Sequence, residues 1–170
     1  EGQEPLINSG KNLAEVLQKA GYVTADFGKW GLGGIHTMGD PIRQEFDIFF
    51  GYNDQSLAHR YYPDHLWYND TKIELKDNDS FRHQITYSAD LIQQKALDFL
   101  DNTSKDKPFF LFLPYTLPHA ELIVPDDSIF ESYKGKFPEK PYKGQDYIGP
   151  QTGHGYTSQQ YPHATFAAMV

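Results

Sequence analysis

The sequence predicts an α/β fold, a mixed, mostly parallel sheet flanked by helices and joined by long loops. Three observations carry that reading. A helical stretch over 13–20 runs into an alternating stretch over 23–27. A second helical stretch over 85–102 runs into the continuous apolar run 109–113. Helix followed by strand, twice, is the order of layered α/β folds. An apolar run of strand length reads as a strand covered on both faces.

The elements follow in chain order. Leu13, Val16, Leu17 and Ala20 recur on one helical face. Asn12 precedes them as a cap, Glu15 stands three residues on, and Gly21 suits the stop. Val23, Ala25 and Phe27 alternate with Thr24 and Asp26, the pattern of a strand. The Gly-rich stretch 28–34 reads as the loop after it, and 46–50 as a second short strand. Leu66-Trp67-Tyr68, then Asn69-Asp70, then Ile73 and Leu75 predict a hairpin. Ile85, Ala89, Ile92, Ala96 and Phe99 step by four and three, a helix ending near Asn102. Pro108 opens the apolar run.

The segment 114–162 is rich in Pro, Gly, Tyr and Lys and has little periodicity. It is too long for an ordinary connection, which makes it functional or loosely ordered. A helical pattern resumes at His163. The chain does not begin with Met and stops inside that apolar pattern. Residues 1–170 are therefore expected to be part of one larger domain, cut at both ends.

Composition narrows the function. An apolar share of 39% supports a core, so the chain is globular. The net charge of −8 disfavours nucleic acid, which calls for a basic stripe. It leaves an anionic small substrate open, because a few cations or a metal ion reverse the sign within one cleft. No apolar run approaches the ~20 residues that span a bilayer, so no membrane span is expected. There is no cysteine, which removes disulfides, thiolate metal sites and a cysteine nucleophile from this stretch.

Three places could hold chemistry. Gly28-Lys29-Trp30-Gly31-Leu32-Gly33-Gly34 follows a strand, where open α/β sheets bind ligands. Its glycines would let backbone N–H groups approach an anion, and Lys29 would add charge. It is not a Walker loop, because Trp30 stands where Ser or Thr is required. The plain alternative is a turn with an exposed lysine. His119 follows the apolar strand, fixed behind Pro118. It reads as a general acid or anion ligand, or as a loop histidine bonded to backbone. His59, Arg60, Tyr61 and Tyr62, with His65 close behind, suit an oxyanion or a sugar, or else form a packed aromatic loop. The histidine spacings match no zinc motif. The tyrosines of 133–161 could stack on a carbohydrate or simply cover the loop. Asp126, Asp127 and Glu131 read as solvated or as a helix start.

The stretch from Leu13 to Gly33, with Ala20-Gly21-Tyr22 and Phe27-Gly28-Lys29-Trp30-Gly31-Leu32-Gly33, closely resembles the second signature of the sulfatases. Pro108-Phe109-Phe110-Leu111-Phe112-Leu113 and Leu117-Pro118-His119-Ala120 resemble the family's later strand and Pro-His turn. Phe46-Asp47-Ile48-Phe49-Phe50-Gly51-Tyr52 and the end of the chain from Tyr161 also look like this family, in the same order. The resemblance implies a partial alkaline-phosphatase-like sandwich. It implies hydrolysis of a small-molecule or glycan sulfate ester, with the aromatic loops leaning towards glycans. It implies a formylglycine nucleophile made from Cys or Ser, a divalent cation, usually calcium, and a periplasmic, extracellular or lysosomal setting. By resemblance, Lys29 contacts the sulfate. His119 contacts the sulfate near the ester oxygen and serves as an acid to the leaving alcohol. Arg60 is a further candidate for substrate binding.

The pattern departs from the family at one position. Many sulfatases have His two residues after the signature lysine, and here that residue is Gly31. His59 is the expected replacement, and His36 the weaker one. The nucleophile motif and the family's metal-binding Asp and Asn residues have no counterpart in 1–170, so the isolated stretch is expected to be inactive. The rival readings are a phosphate or phosphonate ester hydrolase of the same superfamily, and a non-catalytic module that binds sulfated sugars.

Overall fold

The structure is a computed structural model that describes residues 4–7, 11–78, 83–119, 121–144 and 156–170. Helix α1 spans Leu13–Lys19. Asn12 Oδ1 accepts from Glu15 N at 2.8 Å, the expected cap, and Gly21 takes a φ of +89° at the stop.

Strand β1, Val23–Lys29, forms the centre of the sheet and takes in Gly28 and Lys29, which the sequence pattern gives to the loop. Its alternation suggests one wet face, yet Thr24 and Asp26 are fully buried. The reason is a second layer. Ala25 and Phe27 pack with Ile92, Ala96 and Phe99 of α2, Ser88–Asn102. The opposite face is covered by Ala14 of α1 together with Trp30, Phe46 and Phe49. Thr24 is satisfied there, its N–H on Asp47 Oδ2 at 2.8 Å and its hydroxyl on the Glu45 carbonyl at 2.9 Å.

Strand β2, Ile48–Tyr52, runs parallel to β1 and starts two residues later than its apolar pattern. Phe46 instead packs edge-on to Trp30 at 5.7 Å, and Asp47 is held by Thr24. The hairpin β3, His65–Tyr68, and β4, Thr71–Glu74, turns at Asn69-Asp70 as expected, with Asn69 at a φ of +51°. α2 begins at Ser88, because Ile85 and Thr86 donate their N–H groups to Asn78 Oδ1 and are held outside it.

Strand β5, Phe109–Phe112, pairs parallel with β1, which gives the order β4-β3-β2-β1-β5. The sheet thus has a parallel centre extended by an antiparallel hairpin. The continuous apolar run predicts burial on both faces, but Phe109 and Phe112 remain 42% and 44% exposed. Among the described strands β5 is an edge, with a neighbour on one side alone.

Of the segment 114–162, residues 114–119, 121–144 and 156–162 are described, and these include regular structure. They carry α3, Ser128–Tyr133, capped by Asp127, and a bridge between Tyr142 and Gln159. Helix α4, Pro162–Met169, packs on α3. Asp127 is therefore a helix cap, one of the two readings open for it.

Candidate functional site

β1, β2 and β5 all point their carboxyl ends the same way, so the segments that follow them meet at one end of the sheet. Lys29 is the last residue of β1, and its N–H donates to the Pro114 carbonyl at 2.8 Å. The approach is close enough that a Cβ on Gly28 would stand 2.4 Å from that oxygen. Glycine at 28 thus lets the lysine-bearing strand end touch the segment that leads to His119.

After β2 the chain enters a 3-10 turn, Leu57–His59. The Leu57 N–H donates to Asp54 Oδ1 at 2.7 Å, which starts the turn. The segment after it is strapped to the core. The Tyr52 hydroxyl donates to the Arg60 carbonyl at 2.6 Å, and Ser88 Oγ at the start of α2 donates to the Tyr61 carbonyl at 2.9 Å. The Tyr61 hydroxyl reaches across to the His119 carbonyl at 2.9 Å. Burial holds the Tyr61 phenol well above its ordinary range, so it stays a donor.

These straps bring two of the candidate histidines together. The rings of His59 and His119 lie edge to face with centroids 5.2 Å apart. His59 Nδ1 is 3.1 Å from the Gln55 carbonyl, which makes it the donor and fixes the tautomer of a neutral ring. The Tyr156 ring also lies 6.4 Å from that of His59. Gly31 faces the same turn, since a Cβ there would stand 3.2 Å from Gln55 Oε1. Gly31 also has a φ of +147°, which favours glycine. The backbone at 31 therefore favours glycine, and Gln55 leaves little room for a side chain there. His36 sits on the exposed loop, its N–H on Asp40 Oδ2 at 2.6 Å.

One residue at the site escapes the sequence reading. Glu121, 1% exposed, accepts from Thr157 N at 3.2 Å and Thr157 Oγ1 at 2.6 Å, and faces Arg60 Nη1 at 3.8 Å. Burial pushes the Glu121 carboxyl above its usual range and Arg60 below its own, with each charge opposing the other's shift. Arg60 is thus part of a structural tie as well as a candidate for the substrate. Glu121 joins the segment after His119 to the one that carries Tyr156. Its only sequence signal is a lone acid among apolar residues in Glu121-Leu122-Ile123-Val124. Of the described tyrosines in 133–161, Tyr156 meets His59, while Tyr133 stacks on Phe137 at 6.3 Å beside α3.

The described residues contain no group of three or more His, Asp or Glu side chains fit to hold a metal ion. Among the described residues no such group fits the divalent cation that the resemblance implies.

A family model described as Sulfatase matches residues 2–166. The chain belongs to the sulfatase family. It is 28% identical to human N-acetylgalactosamine-6-sulfatase, over 85% of this chain and 29% of that protein. It is 30% identical to the N-acetylglucosamine-6-O-sulfatase of Bacteroides thetaiotaomicron, over 82% of this chain and 22% of that one. Among solved structures it resembles BT4656 in complex with its substrate D-glucosamine-2-N,6-O-disulfate. The TM-score is 0.56 at 27% identity, covering 80% of this chain and 24% of that one. A structure of Ps i-CgsB, at 19% identity and a TM-score of 0.66, shares the fold over 99% of this chain and 35% of that one. The chain spans less than a third of the length of the curated relatives it matches here.

Proposed function

We propose that this chain supplies the sulfate-gripping and proton-donating part of a sulfuric ester hydrolase, acting on sulfate esters of glycans. The observation that carries the reading is the His59–His119 pair, 5.2 Å apart at the carboxyl end of the sheet that also ends in Lys29. Lys29 neutralises charge on the sulfate. His119 contacts the sulfate near its ester oxygen. His59 donates the proton that lets the alcohol leave, the role that Gly31 cannot fill. An alkoxide is a poor leaving group, so a placed acid and a cation beside the developing charge lower the barrier.

The rest of the machinery belongs to the whole protein, and the family makes it a formylglycine and a divalent cation, calcium in most members. The expected setting is periplasmic, extracellular or lysosomal. The test uses the full-length protein that carries this sequence, assayed on 4-nitrophenyl sulfate and 4-nitrophenyl phosphate. Turnover of the sulfate, lost by about 100-fold or more in Lys29→Ala and in His119→Ala, is expected. Preference for the phosphate would replace this reading with the phosphate-ester one.

A further inference from the structure

His59, Arg60 and Tyr61 are consecutive at the end of the Leu57–His59 turn, where the backbone becomes extended at Arg60. Each of the three grips the stretch that holds His119. The His59 ring meets the His119 ring, Arg60 faces Glu121, and the Tyr61 hydroxyl donates to the His119 carbonyl at 2.9 Å. Of the three, Tyr61 acts on the backbone of His119 itself. Its hydroxyl also lies 3.5 Å from the Thr116 carbonyl, which accepts from His119 N at 3.0 Å and closes the turn over 116–119. The phenol thus bears on both ends of the turn that aims the histidine.

Tyr61 is in turn held from the core. It is 1% exposed, and its ring lies edge-on to that of Tyr87 with centroids 6.1 Å apart. Its carbonyl accepts from Ser88 N and from Ser88 Oγ, both at 2.9 Å, where α2 begins. α2 packs on Ala25 and Phe27 of β1 through Ile92, Ala96 and Phe99. A continuous path of contacts therefore runs from the sheet through α2 to Tyr61 and on to the His119 backbone. A buried ring held at its backbone offers its hydroxyl in one position, so it fixes where its acceptor stands. Displacing a group at a reacting centre by about 1 Å can cost on the order of 100-fold in rate, so a residue that sets such a position shares in turnover without touching substrate.

We propose that Tyr61 is a positioning residue, whose hydroxyl sets where His119 stands relative to His59 and so acts on turnover through His119. This rests on the sulfate-ester reading of the histidine site. The test is a double-mutant cycle in the full-length protein, read as kcat/KM on 4-nitrophenyl sulfate. Tyr61→Phe keeps the ring and deletes the donor, and should lose about tenfold. In the His119→Ala background the same change should lose nothing further, because the group it positions is gone. Ser88→Ala removes one of the two donors that hold the Tyr61 carbonyl. It should show a smaller loss, again absent in His119→Ala, and it reports on the path even if Tyr61→Phe folds poorly. Tyr87→Phe deletes another buried hydroxyl, one that donates to the Ile123 carbonyl at 3.2 Å, and should keep the wild-type kcat/KM. Unchanged kcat/KM in Tyr61→Phe, losses that multiply in the double variant, or an equal loss in Tyr87→Phe would overturn the assignment and leave the sulfate-ester reading intact. Absence of sulfate turnover in the wild type would overturn that reading and this assignment with it.

Discussion

Glu121 in the segment after His119 and Asp26 in the middle of β1 carry the most deeply buried carboxyl groups among the described residues. Burial raises both, but their surroundings differ. Glu121 accepts from Thr157 twice and faces Arg60. Both oxygens of Asp26 lack a partner among the described residues, and Asp26 lies in register with Phe49 and Phe112. Desolvation alone pushes its carboxyl up to about 8. The contrast separates two uses of a buried acid. Where the acid ties segments of the site together, donors and a cation are built around it. Where it stands in the sheet, it is kept neutral, and the fold bears the cost of charging it.

That contrast can be broken at Asp26 first, with the largest effect. The folded carboxyl titrates near 8 and the unfolded one near 3.8, so between those values the folded chain keeps a proton the unfolded chain has lost. Stability therefore falls as pH rises from about 4 to about 8, by about 5 kcal/mol from this group. Urea unfolding across that range checks it, and Asp26→Asn should remove this share of the slope. A slope unchanged in Asp26→Asn would mean that Asp26 is paired after all.

At Glu121 burial raises the carboxyl as well, but the Thr157 donors and the Arg60 charge oppose the shift. Glu121→Ala leaves the Arg60 charge buried without its carboxylate and should cost about 3–5 kcal/mol, read as a lower denaturation midpoint. Thr157→Val removes one hydroxyl donor while Thr157 N still serves Glu121, and should cost about 1–2 kcal/mol. Equal losses in the two variants would show that Arg60 adds nothing to the tie.

The sequence made the skeleton legible wherever a local rule acts. Asn12, Gly21 and Asn69 each fix an end or a turn through their own backbone chemistry. It misjudged burial at Phe109 and Phe112, because exposure there depends on which strand lies alongside. Lys29, His59 and His119 stood out as charged or titratable residues at strand ends. Glu121 did not, since its partners Thr157 and Arg60 lie more than 30 residues away. Gly31 shows the limit most clearly. A missing histidine is visible in the sequence, but its φ of +147° and the neighbouring Gln55 appear only in the fold.

The central claim is that His59 supplies the proton at the site where Gly31 cannot. Its most direct test is the leaving-group dependence of kcat/KM in the full-length protein, comparing wild type with His59→Ala. A sugar sulfate needs its alcohol protonated, whereas nitrophenolate leaves without help. His59→Ala should therefore lose about 100-fold or more on a sugar 6-sulfate and far less on 4-nitrophenyl sulfate. Equal losses on both substrates would contradict the assignment and leave His59 as a packing partner of His119.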